Sequence, residues 1–320
     1  MDRAGWFNAE FDGAHDYDLA RRIGESGGAI AHVPQVLVHQ REVRTTLARS
    51  SDRRVVGAPL ASIVICSRNA RLLAKCLRQI EANTAYAARE LVIVQHRTGS
   101  DRAMERLLAR VDCTRLYHDG AFDFSGMNNR AARAARGEIL VFLNDDCEPL
   151  EDRWLGELIA HAQRSNVGAV GARLLYPTGA VQHAGVAIGI MDGAGHPHRG
   201  TFDDNFWPWS LHTRNVSAVT GACLAMRREI FQELGGFDPC FPNNYNDIDL
   251  CLRARRQGYQ VIYEPAALLR HQESKTRTRG VAWTERALWQ ERWGEALAAS
   301  DPYYSRHLTR TREDCSLADG

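Results

Sequence analysis

The chain has 320 residues, of which 44% are hydrophobic and 25% charged, and its formal net charge at pH 7 is +1. This composition is that of an ordinary soluble globular protein, long enough for one large domain or two small ones. The near-neutral charge argues against a nucleic acid partner, and no apolar run approaches the ~20 residues that a membrane span needs.

Eight cysteines are scattered along the chain without a Cys-x-x-Cys pair. In a chain of this size, scattered thiols fit a reducing compartment better than a disulfide framework. The first residues also lack the apolar segment of a signal peptide. We therefore expect a cytoplasmic protein of the size of an enzyme.

The first forty residues resemble a later part of the same chain. The segment that begins at Asp16 carries the acids, apolar residues and proline found again, 231 residues later, from Asp247. Similarity at this spacing suggests a duplicated domain, with residues 1–42 as the remnant of a preceding copy. The alternative is a chance similarity between two helices that begin with acids. The charged segment 43–58 is predicted to be a linker, and residues 59–312 are predicted to form the main domain.

Strand-like apolar runs alternate with helical patterns over the next ninety residues. The predicted strands are 60–66, 90–95 and 139–143, and the predicted helices are 71–82, 102–110 and 125–136. Such alternation predicts an α/β fold, in which helices flank a parallel sheet built from right-handed crossovers. The run 139–143 shows no polar alternation, as expected of a strand buried on both faces.

The second half of the chain is less regular. Further helices are predicted over 154–163 and 246–257, and further strands over 167–172, 216–226 and 259–263. Residues 176–214 are rich in Gly, His, Pro and Trp and carry little periodicity, which is typical of a functional or disordered segment. A helical tail over 283–298 would place Trp283 and Trp293 on one packed face. Residues 313–320 are predicted to form a disordered tail.

Acidic residues stand at the ends of two predicted elements. Asp145 and Asp146 follow the strand 139–143, and Asp247 and Asp249 lie in the first turn of a helix. Ligands of open α/β sheets bind beyond the carboxyl ends of the strands. Acids there can hold a hard divalent cation or act as a general base, although a solvated turn is the alternative. No glycine-rich phosphate loop is present, which argues against a dehydrogenase or a P-loop enzyme.

Several separate stretches share their order and spacing with one known family. They are residues 62–69, 90–101, 129–137, 143–146, 220–223, 235–238, 246–253, 271–274 and 301–304. Together they make residues 58–310 resemble the family 2 glycosyltransferases of GT-A fold, especially the rhamnosyltransferase-like enzymes that build bacterial surface polysaccharides. The resemblance implies a mostly parallel central sheet flanked by helices, with a C-terminal helical tail.

The resemblance implies an inverting sugar transfer from a nucleotide-diphosphate sugar. Asp247 would be the general base that takes the proton of the acceptor hydroxyl. Asp146 would bind Mg²⁺ or Mn²⁺ at the donor diphosphate, with Asn144 in place of the family's first acid and His271 as a further contact. The alternatives are a helix N-terminal acid for Asp247 and a histidine that caps a strand exit for His271.

The resemblance also implies two sets of binding residues. The nucleotide sugar would contact Ser67, Arg68, Asn69, Gln95, Arg97, Asn129 and Asp145. The acceptor would contact Trp207, Trp209, Gly221 and Asp249, the last of which could instead support its helix end. A basic stretch would close over the diphosphate or be an ordinary solvated charge run; it contains Lys275, Arg277 and Arg279.

Two positions depart from the family pattern. Gln95 stands where an Asp usually reads the nucleobase, which leaves open whether the donor is a UDP-sugar or a dTDP-sugar. Asn144 lowers the formal charge of the cation site. These departures motivate a second hypothesis, a catalytically impaired remnant of a tandem glycosyltransferase that binds glycans or nucleotide sugars.

The irregular segment contains four histidines that could suggest zinc, His183, His196, His198 and His212. Because their spacing does not close a tetrahedral Cys/His site, the sequence favours an acceptor-binding loop. We expect a saccharide or lipid-linked saccharide acceptor, no nucleic acid, and a peripheral association with the inner face of the plasma membrane.

Overall fold

A computed structural model describes residues 19–20, 22–23, 26, 55–191, 193–202, 208–272 and 281–318. Most of the predicted remnant 1–42 and of the linker 43–58 lies outside the described residues. So do the predicted acceptor residue Trp207 and the basic residues Lys275, Arg277 and Arg279.

Strands and helices follow one another from residue 61 to residue 298. The strands are β1 (Ala61–Ser67), β2 (Arg89–Arg97), β3 (Thr114–Asp119), β4 (Ile139–Asn144), β5 (Cys147–Pro149), β6 (Val167–Leu175), β7 (Val181–His183), β8 (Ala187–Ile188), β9 (Ala194–Gly195), β10 (Arg214–Asn215), β11 (Cys223–Arg227) and β12 (Gln260–His271). The helices are α1 (Ala70–Ala82), α2 (Arg102–Leu108), α3 (Phe124–Ala134), α4 (Trp154–Ala162), α5 (Arg228–Glu233), α6 (Asn246–Arg256) and α7 (Trp283–Ala298).

One large sheet runs through the centre of the molecule. Its strand order is β10-β12-β6-β11-β4-β1-β2-β3, with β5 beside β12 and β7 beside β6. Strands β4, β1, β2 and β3 are parallel, as are β12 and β6. Strand β11 lies antiparallel between β4 and β6 and joins the two parts. The expected α/β class is confirmed.

The central strands are buried on both faces, which explains their unbroken apolar runs. Val64 and Phe142 lie in one buried cluster with Met127 of α3. Ile63, on the other face of β1, lies in a second cluster with Leu73 of α1. Because successive side chains of a strand point to opposite faces, a run that is apolar throughout fills both layers.

Three strands differ from the sequence prediction. The edge strand β3 was not predicted, because its six residues alternate between half-buried and exposed positions. The predicted strand 216–226 begins only at Cys223. Strand β12 continues beyond the predicted segment 259–263 as far as His271, and this extension carries the histidine to the site described below.

Helix α7 has the predicted bounds, and of the two tryptophans predicted to pack, Trp293 is buried but Trp283 is not. Trp283 is 80% exposed, whereas Glu285, Trp289 and Trp293 are buried. The buried face includes the polar residue Glu285, so a pattern of apolar residues does not identify that face. Its carboxylate accepts hydrogen bonds from the backbone N–H groups of Asn243 and Asn244 at 2.9 and 2.8 Å.

The folded domain extends past the predicted boundary at residue 312. Glu313 accepts a hydrogen bond from the backbone N–H of His196 at 2.6 Å, and Leu308 pairs with Leu317 in an antiparallel bridge. Residues 313–318 therefore belong to the domain and do not form the disordered tail that the sequence suggested.

Two further observations concern membrane spans and disulfides. Within the described ranges, no helix combines the length and the apolar character needed to cross a membrane. All eight cysteines are free thiols, as expected from their scattered positions.

Candidate active site

A cavity of about 690 Å³ opens at the carboxyl ends of β1 and β4. This is the edge at which open α/β sheets bind their ligands. Eight of the predicted site residues line the cavity: Arg68, Asn69, Asn144, Asp145, Asp146, Gly221, Asp247 and His271.

Strand pairing places the predicted cation ligands side by side. Strand β5 runs antiparallel to β12, with Cys147 opposite His271, so that Asp146 lies next to the imidazole. Asp146 Oδ1 is 3.1 Å from His271 Nε2. The amide nitrogen of Asn144, the last residue of β4, is 3.4 Å from the same imidazole nitrogen.

The geometry of this corner fits a divalent cation. Two ligands at right angles on an octahedral ion, each ~2.1 Å from it, lie ~3 Å apart, which matches the distance between Asp146 and His271. Cys147 is near enough to be considered, but its thiol points to the carbonyl oxygen of Ala222 at 3.3 Å. A thiol is also a poorer ligand for a hard cation such as Mg²⁺ than an oxygen donor. Asp146 and His271 are thus the two side chains of this group best placed to bind such an ion.

Asp145 is held from the opposite side by β1. Its Oδ2 accepts a hydrogen bond of 2.5 Å from the hydroxyl of Ser67. Burial, together with the negative charge of Asp146, raises the pKa of Asp145 to about 6, while the Ser67 hydroxyl lowers it. A cation bound at Asp146 would favour the ionised form of both carboxylates.

Backbone donors fix the carboxylate of Asp247 at the start of α6. Oδ2 accepts from the N–H of Gly221 at 2.7 Å, and Oδ1 accepts from the N–H of Ile248 at 2.9 Å. The neighbouring Ala222 accepts a hydrogen bond from the backbone N–H of Asn144. The segment 220–222 therefore contacts both Asp247 and Asn144 at the end of β4, two residues before Asp146.

The residues predicted to bind the nucleotide sugar divide into two groups. Arg68 is exposed and lines the cavity. Asn69 also lines it, while its side chain accepts from two backbone N–H groups as the N-cap of α1. By contrast, Gln95 is buried in β2 and does not line the cavity. Arg97 is half exposed and forms a two-point contact with Asp119.

Asn129 requires a correction, because its side chain serves the fold. Its Nδ2 donates to the carbonyl of Phe237 at 2.7 Å, and its Oδ1 accepts from the N–H of the same residue at 2.9 Å. The turn here is tight: Gly236 has φ +76°, and a Cβ at this position would lie 2.5 Å from Asn129 Oδ1. Both ends of the amide are therefore engaged away from the cavity.

The predicted acceptor residues are also divided. Gly221 lines the cavity, whereas Trp209 is exposed and does not. Asp249 is fully buried and accepts hydrogen bonds from Arg253, Arg292 and Trp293. Its charge is thus compensated inside the protein, which contradicts a direct role in acceptor binding and supports the alternative of a structural acid.

Sequence reasoning missed several residues of the cavity wall. Phe122 and Phe124 follow β3, which was itself unpredicted, and Gln182 and Arg199 lie in the aperiodic segment 176–214. Of the four histidines in that segment, two line the cavity, namely His183 and His196. The long irregular stretch was the only sequence signal for them.

Comparison with known proteins identifies relatives. The family model described as "Glycosyltransferase like family 2" matches residues 58–296. The O-antigen biosynthesis protein RfbC of Myxococcus xanthus is 34% identical over 98% of this chain and 28% of its own length. The uncharacterized protein y4gI of Sinorhizobium fredii is 32% identical over 98% of this chain and 41% of its own length. The chain thus spans less than half the length of either relative.

Solved structures share the fold at low sequence identity. A crystal structure of GalNAc-T7 with UDP, GalNAc and Mn²⁺ has a TM-score of 0.59 at 15% identity, covering 75% of this chain and 49% of that one. The mannosyltransferase PcManGT of Pyrobaculum calidifontis, in complex with GDP-Man and Mn²⁺, has a TM-score of 0.52 at 18% identity, covering 77% and 67%. The expected GT-A fold is confirmed.

Proposed function

Because this chain belongs to the glycosyltransferase-like family 2, we propose that it transfers a sugar from a nucleotide-diphosphate donor to a saccharide acceptor with inversion at the anomeric carbon. The observation that carries the proposal is that one cavity is lined both by the carboxylate of Asp247 and by the cation ligands Asp146 and His271. A general base and a diphosphate anchor in one cavity suit a single displacement.

Asp247 acts as the general base. Its two carboxylate oxygens are each held by one backbone N–H group, so the remaining lone pairs keep a fixed direction. They accept the proton of the acceptor hydroxyl as its oxygen attacks the anomeric carbon. The bond from that carbon to the diphosphate oxygen breaks, and the nucleoside diphosphate departs.

Asp146 and His271 are the residues that would hold Mg²⁺ or Mn²⁺ in the donor site. Such a cation, when bound, would neutralise the charge that develops on the leaving diphosphate. Mn²⁺ accompanies UDP or GDP-Man in the two structures compared above, which supports a divalent ion here. Asn144 contributes no charge of its own to this site.

The donor is proposed to be a UDP-sugar or a dTDP-sugar. The similarity to the O-antigen protein RfbC, and to an N-acetylglucosaminyl-diphospho-decaprenol L-rhamnosyltransferase of Mycobacterium tuberculosis at 28% identity over 39% of this chain, supports an acceptor from bacterial surface glycans. A lipid-linked saccharide is one such acceptor. Binding of it would bring the protein to the cytoplasmic face of the membrane.

The substitution Asp247→Asn tests the base. It keeps the shape of the side chain but removes its basicity, so kcat is expected to fall by a factor of about 10² to 10⁴, whereas the affinity for the donor with Mn²⁺ should stay within a few fold. Transfer and donor hydrolysis are measured with a panel of UDP- and dTDP-sugars. Asp112→Asn, at an exposed position outside the cavity, is the matched control.

Two results would contradict the proposal in different ways. Retention of activity within a few fold by Asp247→Asn would remove Asp247 as the base. Metal-dependent donor binding without any turnover by the wild-type protein would instead favour a binding protein that has lost catalysis, the second function that Asn144 and Gln95 motivate.

A further inference from the structure

Gln182 contacts His271, one of the two proposed cation ligands. It lies on β7, which pairs with β6, and β6 in turn pairs with β12. This order of three strands brings Gln182 close to His271 at the end of β12, although 89 residues separate them in sequence. Gln182 is only 7% exposed and lines the cavity together with His271.

The contact between the two side chains is short and has a defined polarity. Gln182 Oε1 is 2.6 Å from His271 Nδ1. An amide oxygen can only accept a hydrogen bond, so Nδ1 carries the proton and donates it. The nitrogen left with a lone pair for a cation is then Nε2, the atom that lies 3.1 Å from Asp146 Oδ1.

Two groups face Nε2. The carboxylate of Asp146, an acceptor at 3.1 Å, fits a lone pair on Nε2 only when a cation lies between the two atoms. The amide nitrogen of Asn144, a donor, faces Nε2 at 3.4 Å, as expected when Nε2 is an acceptor. One amide thus contacts each imidazole nitrogen, and the two amides specify the same tautomer. Hydrogen bonds of this kind to the distal nitrogen of a ligating histidine orient the ring and raise its basicity.

We infer that Gln182 is a positioning residue for the cation site: its amide oxygen holds the Nδ1 proton of His271 and so directs Nε2 toward the cation shared with Asp146. The inference rests on the proposed function in that it takes Mg²⁺ or Mn²⁺ as the ion. Gln182 is proposed to act on the ion through His271 and is not itself one of the proposed ligands.

The affinity for Mn²⁺ tests this role independently of turnover. Gln182→Met keeps the volume of the side chain but lacks the acceptor, and Mn²⁺ affinity in the presence of UDP is expected to fall 10- to 100-fold. Gln182→Glu restores an acceptor and should bind Mn²⁺ within a few fold of the wild type. Gln163→Met, at a glutamine that does not line this cavity, is the control and should bind as the wild type does. Calorimetry and the electron paramagnetic resonance signal of free Mn²⁺ give the affinities.

A double-mutant cycle distinguishes positioning from a general loss of structure. If Gln182 acts through His271, then Gln182→Met should cost little further affinity in a protein that already carries His271→Ala. A loss that is equally large in both backgrounds would overturn the inference, because it would show an effect that bypasses the imidazole.

The remaining outcomes separate this inference from the proposed function. Unchanged Mn²⁺ affinity in Gln182→Met, with normal binding by the wild type, would overturn the positioning role alone. A wild-type protein that binds no Mn²⁺ with any nucleotide would overturn the cation site of the proposed function, and the role of Gln182 with it.

Discussion

His183 and His196 form a hydrogen-bonded pair in the cavity wall. Their Nδ1 atoms are 2.9 Å apart, so one ring donates and the other accepts, which is possible only when at least one ring is neutral. Burial, together with a smaller effect of nearby cationic and imidazole groups, lowers the pKa of His183 well below its usual value and that of His196 to about 4. At neutral pH the pair therefore presents no charge to a ligand.

The pair makes the stability of the protein depend on pH in a defined direction. An unfolded imidazole titrates near pH 6.5, whereas the folded ring of His196 takes up its proton only near pH 4. Between these values the unfolded state binds more protons, so the free energy of unfolding should fall as the pH falls, by at most about 1.4 kcal/mol per pH unit for each ring. Urea unfolding between about pH 7 and pH 5 measures this slope.

The variant His196→Asn isolates the contribution of one imidazole. It can still form a hydrogen bond at the position of Nδ1 but does not titrate, so the slope should be smaller than in the wild type. Asp145 has the opposite effect, because its raised pKa stabilises the folded state as the pH falls. Since both proteins contain Asp145, its contribution cancels when their slopes are compared. The exposed His307→Asn is the control, and an equal slope in wild type and His196→Asn would contradict the prediction.

The sequence identified the residue types at strand ends but not the pairs that they form. Asp145 and Asp146 were recognisable because an apolar run stops at them. The contact between Gln182 and His271 depends on which three strands pair with one another, and the apolar pattern of one strand does not identify its partner strands. Asn129 was misassigned because an asparagine that holds a turn and one that binds a ligand look alike in sequence.

Among the elements, α7 braces the loop that leads to the proposed base. Glu285 accepts hydrogen bonds from the backbone of residues 243 and 244. Trp289 stacks on Tyr245, with ring centroids 4.6 Å apart and an angle of 8° between the planes. Tyr245 has φ +60°, a left-handed conformation that costs free energy in a residue other than glycine. The stack against α7 stabilises this strained residue two positions before Asp247.

Removal of the brace should therefore impair transfer more than donor binding. Glu285→Ala leaves the N–H groups of residues 243 and 244 without their acceptor and should cost about 1–3 kcal/mol of unfolding free energy. Displacement of Asp247 should lower kcat about 10- to 100-fold, with Mn²⁺ and UDP affinities unchanged. The measurements are steady-state kinetics and calorimetry.

The matched control is Glu291→Ala on the exposed face of the same helix, which should leave both quantities as in the wild type. If Glu285→Ala weakened donor binding as much as turnover, a specific link from α7 to Asp247 would be refuted.

The elements themselves were predictable where their periodicity was strong. The bounds of α7 and the run of β4 follow from patterns of the expected period. Strand β3 escaped notice because an edge strand with one exposed face has only three inward positions in six residues. The buried face of α7 could not be read from apolar residues, because a glutamate lies on it.

At the scale of the whole molecule, the C-terminal segment 299–318 forms hydrogen bonds with the irregular segment 176–214, which contains the four histidines. Asp301 accepts from the N–H of Ile188 at 2.6 Å, and Glu313 accepts from that of His196 at 2.6 Å. Arg310 donates to the carbonyl of Gly189 at 3.0 Å. One wall of the cavity thus depends on contacts made by the last turns of the described chain.

A chain that ends at Ala298 should consequently loosen that wall. Backbone amides of residues 183–199 should exchange with solvent faster, because their partners in 299–318 are gone. Amides of β1 and β4, which lie in the centre of the sheet, should keep their protection. Hydrogen exchange followed by mass spectrometry measures both sets. A chain ending at Ala318 is the control, and equal exchange of residues 183–199 in the two chains would contradict the prediction.

The position of β11 has a consequence for how the chain is made. Strand β11 fills the space between β4 and β6, yet the ribosome reaches Cys223 only after both neighbours have emerged. Until then the nascent chain exposes an unpaired apolar edge on β4, and such edges attract other strands. Folding of the sheet thus waits for a contact between distant parts of the chain, which favours slow folding and prolongs the time during which the exposed edge can aggregate.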